Sequence, residues 1–284
     1  MEWILLTGVS VFFHSVYGIM TKVLSNRLQV TAYTQATILP LAGAVIALVF
    51  SPFFGGLSFD FTGVSVITIL LVILGQGFGN ILYFTAIKHL TNGTAQITFS
   101  SVLVFNTILA LLFTGLHLSL INVCGIFLLL LAILVVVNGK VELNKRGILL
   151  MILAAFFFSI FQIASSEISS QISAATYLLF TYLGAALIVF LLKARVIIQD
   201  LKQAKSMSVV TIPLITALPS LGTFLFAFYA FREAPEPAKV AMLLTSQVVL
   251  TVILSYFLLR EKDHVAKKLS AAVLVVISAV LIKD

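Results

Sequence analysis

The chain has 284 residues, 61% hydrophobic and only 10% charged, with a net charge of +7 and a mean hydropathy of +1.19. Soluble domains carry roughly 25% charged residues, so lipid must be the solvent for this much apolar surface and a soluble fold is excluded. The single cysteine, Cys124, excludes an intramolecular disulfide and a cysteine metal cluster and reads as a packed core thiol.

A bilayer core takes about 20 apolar residues per helix, and backbone groups in lipid must pair within that helix. This ruler predicts ten spans, near 3–21, 31–51, 63–87, 93–114, 119–138, 146–166, 174–192, 209–231, 238–259 and 266–282. Glu2 stands where a signal peptide would carry basic residues, and no small-residue cleavage site follows the first apolar run. Span one carries His14 and Tyr17, about one helical turn apart and able to share a face. Pro52 with Gly55-Gly56 ends span two. Span three contains Gly75-Gln76-Gly77-Phe78-Gly79-Asn80, and span four Ser100 and Asn106. Span six holds Ser159 and Gln162, span eight Pro213, Pro219 and Gly222, and span nine Thr245-Ser246-Gln247. Gly125 in span five and Ser270-Ala271-Ala272 in span ten could pack within the bundle or against a second copy, so a homodimer is open.

A displacement of 144 residues lays the chain onto itself. Ile4-Leu5-Leu6, Phe12-Phe13 and Ser15 return as Ile148-Leu149-Leu150, Phe156-Phe157 and Ser159, and Phe84 and Ala86 return as Phe228 and Ala230. The expected fold is therefore all-α: a polytopic membrane protein with ten transmembrane helices in two five-helix repeats, residues 1–140 and 141–284. Each copy has an odd number of spans, so the two must lie inverted in the membrane, an arrangement associated with transporters. With ten spans, 14 of the 17 Lys and Arg residues fall on the side away from the termini, against Arg232, Lys239 and Lys283 on the terminal side. The positive-inside tendency puts those basic loops in the cytoplasm and both termini outside. Charge confined to short loops points to membrane topology, not to nucleic acid.

Inverted-repeat carriers hold substrate near the midplane, at helices interrupted in matching positions of the two halves. Gly75, Gly77 and Gly79, matched by Pro213, Pro219 and Gly222, are the predicted interruptions and gating points. His14, Tyr17, Gln76, Asn80, Asn106, Gln162 and Gln247 are the candidate substrate-binding residues, because a polar group in lipid costs several kcal/mol unless paired. No Asp, Glu, Lys or Arg lies in the middle of a span. The site is then polar but uncharged, with aromatics such as Phe13, Phe78, Phe157, Phe158 and Phe224 as walls. It suits a neutral, zwitterionic or partly aromatic solute better than a bare ion. No cofactor or metal-ligand motif is present, and neither His-Glu-x-x-His, Gly-x-Ser-x-Gly nor paired membrane carboxylates equip an intramembrane enzyme. A non-transporting scaffold or sensor is the remaining alternative.

Tyr83 through Leu90 to Ser119 in the first copy, and Tyr229 through Ala234 to Lys262 in the second, give the chain its resemblance to the drug/metabolite transporter superfamily, its EamA-type members in particular. Leu259-Arg260-Glu261-Lys262 is similar to that family's Gly-Glu-Arg turn. The resemblance implies an alternating-access carrier with a cavity lined by spans one, three, four, six, eight and nine. It moves an amino acid, metabolite or drug-like compound, by export in the first reading and uptake in the second. Gly115-Leu116-His117 lacks the acidic residue usual in the corresponding turn. Leu103 and Gln247 stand where proline is often found midway along spans four and nine, which puts that hinge in question and makes Gln247 a cavity candidate.

Overall fold

The computed structural model describes residues 2–58, 64–114, 119–137, 144–169, 171–204, 207–235 and 237–283. The 140/141 boundary of the two expected repeats lies outside these residues, as do Gly115-Leu116-His117. The described residues form twelve α-helices: α1 (Glu2–Arg27), α2 (Ala32–Phe50), α3 (Val66–Ile87), α4 (Asn92–Phe99), α5 (Val102–Thr114), α6 (Leu120–Val137), α7 (Lys145–Ile168), α8 (Ala174–Gln203), α9 (Ser208–Glu233), α10 (Pro237–Leu244), α11 (Gln247–Leu258) and α12 (Val265–Lys283). Only two residues separate α4 from α5 and α10 from α11, so these segments make ten rods. Seven rods are each long and apolar enough to cross a membrane. The others are the shorter α6 and the two broken pairs.

Local sequence explains four of the helix starts. Thr31, Ser65, Asn144 and Ser173 cap α2, α3, α7 and α8 by accepting hydrogen bonds from backbone N–H groups two or three residues on. Beyond α2, a 3₁₀ turn over Ser51–Phe54 closes on Gly55 and Gly56, whose φ values of 87° and 69° lie in the left-handed region.

The expected interruptions lie elsewhere than predicted. α3 runs unbroken through Gly75, Gly77 and Gly79, and α9 is continuous through Pro213, Pro219 and Gly222. Both helices pack closely at Gly75, Gly79 and Gly222. A Cβ on Gly75 would come 2.9 Å from the Phe157 carbonyl oxygen and 2.9 Å from the Phe161 nitrogen of α7. One on Gly79 would meet the Phe158 ring at 2.8 Å, and one on Gly222 the Phe13 ring at 2.7 Å. Phe13, Phe78, Phe157 and Phe158 thus serve helix crossings, with Phe78 and Phe157 centroids 5.4 Å apart.

The breaks fall instead at Ser100-Ser101 and Thr245-Ser246, in spans four and nine. Neither needs proline. Ser100 Oγ donates to the Gln96 carbonyl (3.0 Å) and Ser246 Oγ to the Leu243 carbonyl (2.6 Å), and such back-bonding bends helices. Three-residue backbone bonds, Leu103 to Ser100 and Val248 to Thr245, tighten each break.

Across the two halves, α1 packs on α9, α3 on α7, α2 on α8, α6 on α12, α5 on α7 and α11 on α1. Gly125 is consumed inside the bundle: Ser278 Oγ donates to its carbonyl (2.7 Å), and an added Cβ would meet Ile282 at 2.9 Å. Ala271 and Ala272 are fully buried. Cys124 corrects the packed-thiol reading, because it is exposed. The inward stripe of α6 is Asn122, Gly125, Leu129, Ala132 and Ile133, which turns position 124 outward.

Candidate functional site

Two clefts meet at the centre of the bundle. The first, a cavity of about 60 Å³, lies between α1, α7, α8, α9 and α10, lined by His14, Phe161, Gln162, Ser165, Tyr177, Thr223, Phe224 and Phe228 among others. The second, about 40 Å³, reaches the two helix breaks through Ser100, Leu103, Thr245 and Gln247. His14, Gln162 and Leu244 line both. As they stand the two clefts have room for a few waters each, so a bound organic solute requires the surrounding helices to move apart. The first cleft extends from His14, midway along α1, to Ser169 and Phe231 at the C-terminal ends of α7 and α9. These ends neighbour the start of α1, since α1 and α9 run antiparallel: Ser10 Oγ donates to the Thr223 carbonyl (2.9 Å), and Tyr17, seven residues on, bonds Ser220, three residues back.

The polar lining is neutral apart from the titratable His14. Asn106 Nδ2 donates to Gln162 Oε1 (2.8 Å), leaving the Gln162 Nε2 protons as what this side chain can offer to a solute. Asn106 Oδ1 is buried without a partner among the described residues. The Tyr17 ring lies 6.4 Å from that of His14. Tyr17 bonds Ser220, as does Tyr182 (2.8 Å).

Below the second cleft lies a polar floor. Gln247 Nε2 donates to Gln96 Oε1 (3.4 Å), Gln96 Nε2 to the Tyr83 hydroxyl (2.9 Å), and Thr251 Oγ1 to Gln247 Oε1 (3.0 Å). Thr21 Oγ1 lies 3.4 Å from the Tyr83 hydroxyl, and Ser15 Oγ donates to the Gln247 carbonyl (3.2 Å). Four helices, α1, α3, α4 and α11, are tied together here. Continuing down α11, Ser255 Oγ accepts from Asn92 Nδ2 (2.9 Å). Glu261 then accepts from the Asn92 and Gly93 backbone N–H groups (2.7 and 3.2 Å), capping α4. Lys268 Nζ is 3.6 Å from Glu261 Oε2. Lys22 Nζ donates to the Ile87 and Leu90 carbonyls at the end of α3 (2.7 Å each).

Of the sequence candidates, His14, Gln162 and Gln247 come together around the clefts, with Asn106 bonded to Gln162. Gln76 and Asn80 line neither cleft; they are 2% and 4% exposed, and Gln76 Oε1 has no partner among the described residues. The expected wall of α3 is replaced at the first cleft by α8, through Tyr177. Sequence reading missed Gln96, Tyr83 and Thr251. The signal for Thr251 was present: Gln247, Thr251 and Ser255 recur every fourth residue, one polar stripe on an otherwise apolar helix.

Comparison with curated proteins gives no match. Among solved structures, one titled "Crystal structure of protein" has 14% sequence identity and a TM-score of 0.68, covering 98% of this chain and 96% of its own; the likeness shows a shared fold. The sequence profile of the EamA-like transporter family matches residues 1–138 and again 145–283. The chain is a multi-pass membrane protein and belongs to the EamA-like transporter family.

Proposed function

We propose that this transporter carries a small organic solute by rocking two inverted five-helix halves, 1–140 and 141–284, about the paired central clefts. The observation that carries the reading is the meeting of both clefts at His14, Gln162 and Leu244, between elements of both halves. The helix pairing supports inversion. Exchanging the halves turns α1 on α9 into α7 on α3, and α5 on α7 into α11 on α1, while α2 on α8 and α6 on α12 map onto themselves. Such an exchange is what a two-fold relation between the halves produces.

His14, Gln162 and Gln247 are the solute-contacting residues of this reading, with Asn106 positioning Gln162. Gln76 remains with them because its unpartnered amide oxygen is available when the halves rearrange. Aromatic walls and neutral amides suit a neutral or zwitterionic metabolite, amino acid or drug-like compound. The charge asymmetry supports basic loops in the cytoplasm and termini outside. The cleft then opens outward, while the polar floor and the Glu261 cluster close the cytoplasmic end. Export is the direction we assign.

Purified protein in liposomes should move one or more of a panel of neutral, zwitterionic and aromatic solutes. Gln162→Ala and His14→Ala should each lower that flux about ten-fold, the loss expected from one buried hydrogen bond, with reconstitution yield unchanged. Full flux in both variants would overturn the site, and no flux from the wild type would overturn the carrier reading. Liposomes sorted by protein orientation distinguish export from uptake.

A further inference from the structure

α8 does not continue straight out of the membrane. Lys193 breaks its helical geometry (φ −140°, ψ 32°), with its ammonium 5.6 Å from the Tyr33 ring centroid. Before this kink α8 runs antiparallel to α2: Tyr182 lies against Gly43, and ten residues back along α2 Lys193 reaches Tyr33. Seven further residues of straight helix would carry Asp200 about 10 Å beyond that level. Asp200 is instead held at the start of α2, accepting from the Thr31 backbone N–H, the Thr31 hydroxyl (2.7 Å each) and the Thr34 hydroxyl (2.5 Å). The segment after Lys193 therefore folds across the end of the bundle.

Its inward side is Ile197, 1% exposed, with Asp200 and Ala204. Its outward stripe is Arg195, Ile198 and Lys202, all exposed and spaced three and four residues apart, with exposed Leu201 beside it. Basic and apolar side chains alternating on one exposed face of a helix that crosses a bundle end match a membrane interface: apolar side chains enter the acyl boundary and cations meet the headgroups. Arg27 stands at the same end, in a cleft shared with Asp200.

We infer that the kinked end of α8 is an interfacial helix that binds anionic phospholipid headgroups through Arg195 and Lys202. This surface is independent of the solute reading, since it faces the bilayer and no cleft residue takes part. The test uses the purified full-length protein in neutral detergent, with its thermal-denaturation midpoint followed as phosphatidylglycerol, phosphatidylcholine or inorganic phosphate is added. Phosphatidylglycerol should raise the midpoint by about 2–4 °C more than phosphatidylcholine. High salt should erase the difference, since exposed charges are screened within a Debye length. R195Q/K202Q should match the wild type in phosphatidylcholine and lose the extra increment. Equal increments from the two lipids, an increment intact in R195Q/K202Q, or one reproduced in full by inorganic phosphate would each overturn the inference.

Discussion

At the residue scale, the three glycines of α3 are not equivalent, although the sequence presents them as one motif. Gly75 sits where backbone meets backbone, so an added methyl group has nothing flexible to displace. A Cβ on Gly77 would meet only Ile188 and Ala185, at 3.5 Å and beyond, which is ordinary contact. Gly75→Ala should therefore cost about 1–3 kcal/mol by overpacking. Gly77→Ala should be neutral or slightly stabilising, because alanine is the better helix former. Thermal denaturation of the two variants in the same detergent checks this, and equal losses would refute it. Which glycine touches a neighbour depends on helix rotation, a quantity absent from local sequence.

At the element scale, ends and breaks are governed by side chains reaching from distant elements. Arg260 adopts φ 56° just before Glu261, a left-handed conformation that favours glycine, so the family's Gly-Glu-Arg pattern has a backbone reason here. The turn delivers Glu261 to the start of α4, beside Lys268, which is 6% exposed. Glu261→Ala removes the cap and strands a buried ammonium, and should cost about 3 kcal/mol or more. Adding Lys268→Met should recover a large part of that loss in thermal denaturation. No recovery would mean that the cap alone matters. Asp200 at the start of α2 gives a pH signature. Burial would raise its pKa, but hydrogen bonds from Thr34 and Thr31 and the charge of Lys88 outweigh it and hold the carboxyl below its ordinary value. Since the folded pKa is the lower one, its stabilisation is full above the ordinary carboxylate pKa of about 4 and is lost as pH falls through the depressed folded value. Asp200→Asn should flatten the acid limb of the stability profile measured between about pH 5 and 3. An unchanged acid limb would rule out this role.

At the scale of the whole molecule, composition and period left little freedom. Lipid as solvent demands long helices with satisfied backbones, so ten apolar runs and their Pro and Gly punctuation were readable from residues alone. Membership of the transporter family was readable too, through the conserved order of runs and turns in the two halves. The absence of charge from the span interiors was equally legible, because it is a matter of counting. His14, Gln162 and Gln247 stood out as polar groups too expensive to leave in lipid. The tertiary structure decided which of those groups meet. It set Gln76 and Asn80 apart from the clefts, tied Gln96 and Tyr83 into a floor, put the helix breaks at serine and threonine hydroxyls where prolines were missing, and folded the end of α8 across the bundle. The reason is physical: spans follow from transfer free energy, which adds up along the chain, whereas a site depends on helix rotation and crossing, which residues far apart in sequence determine together.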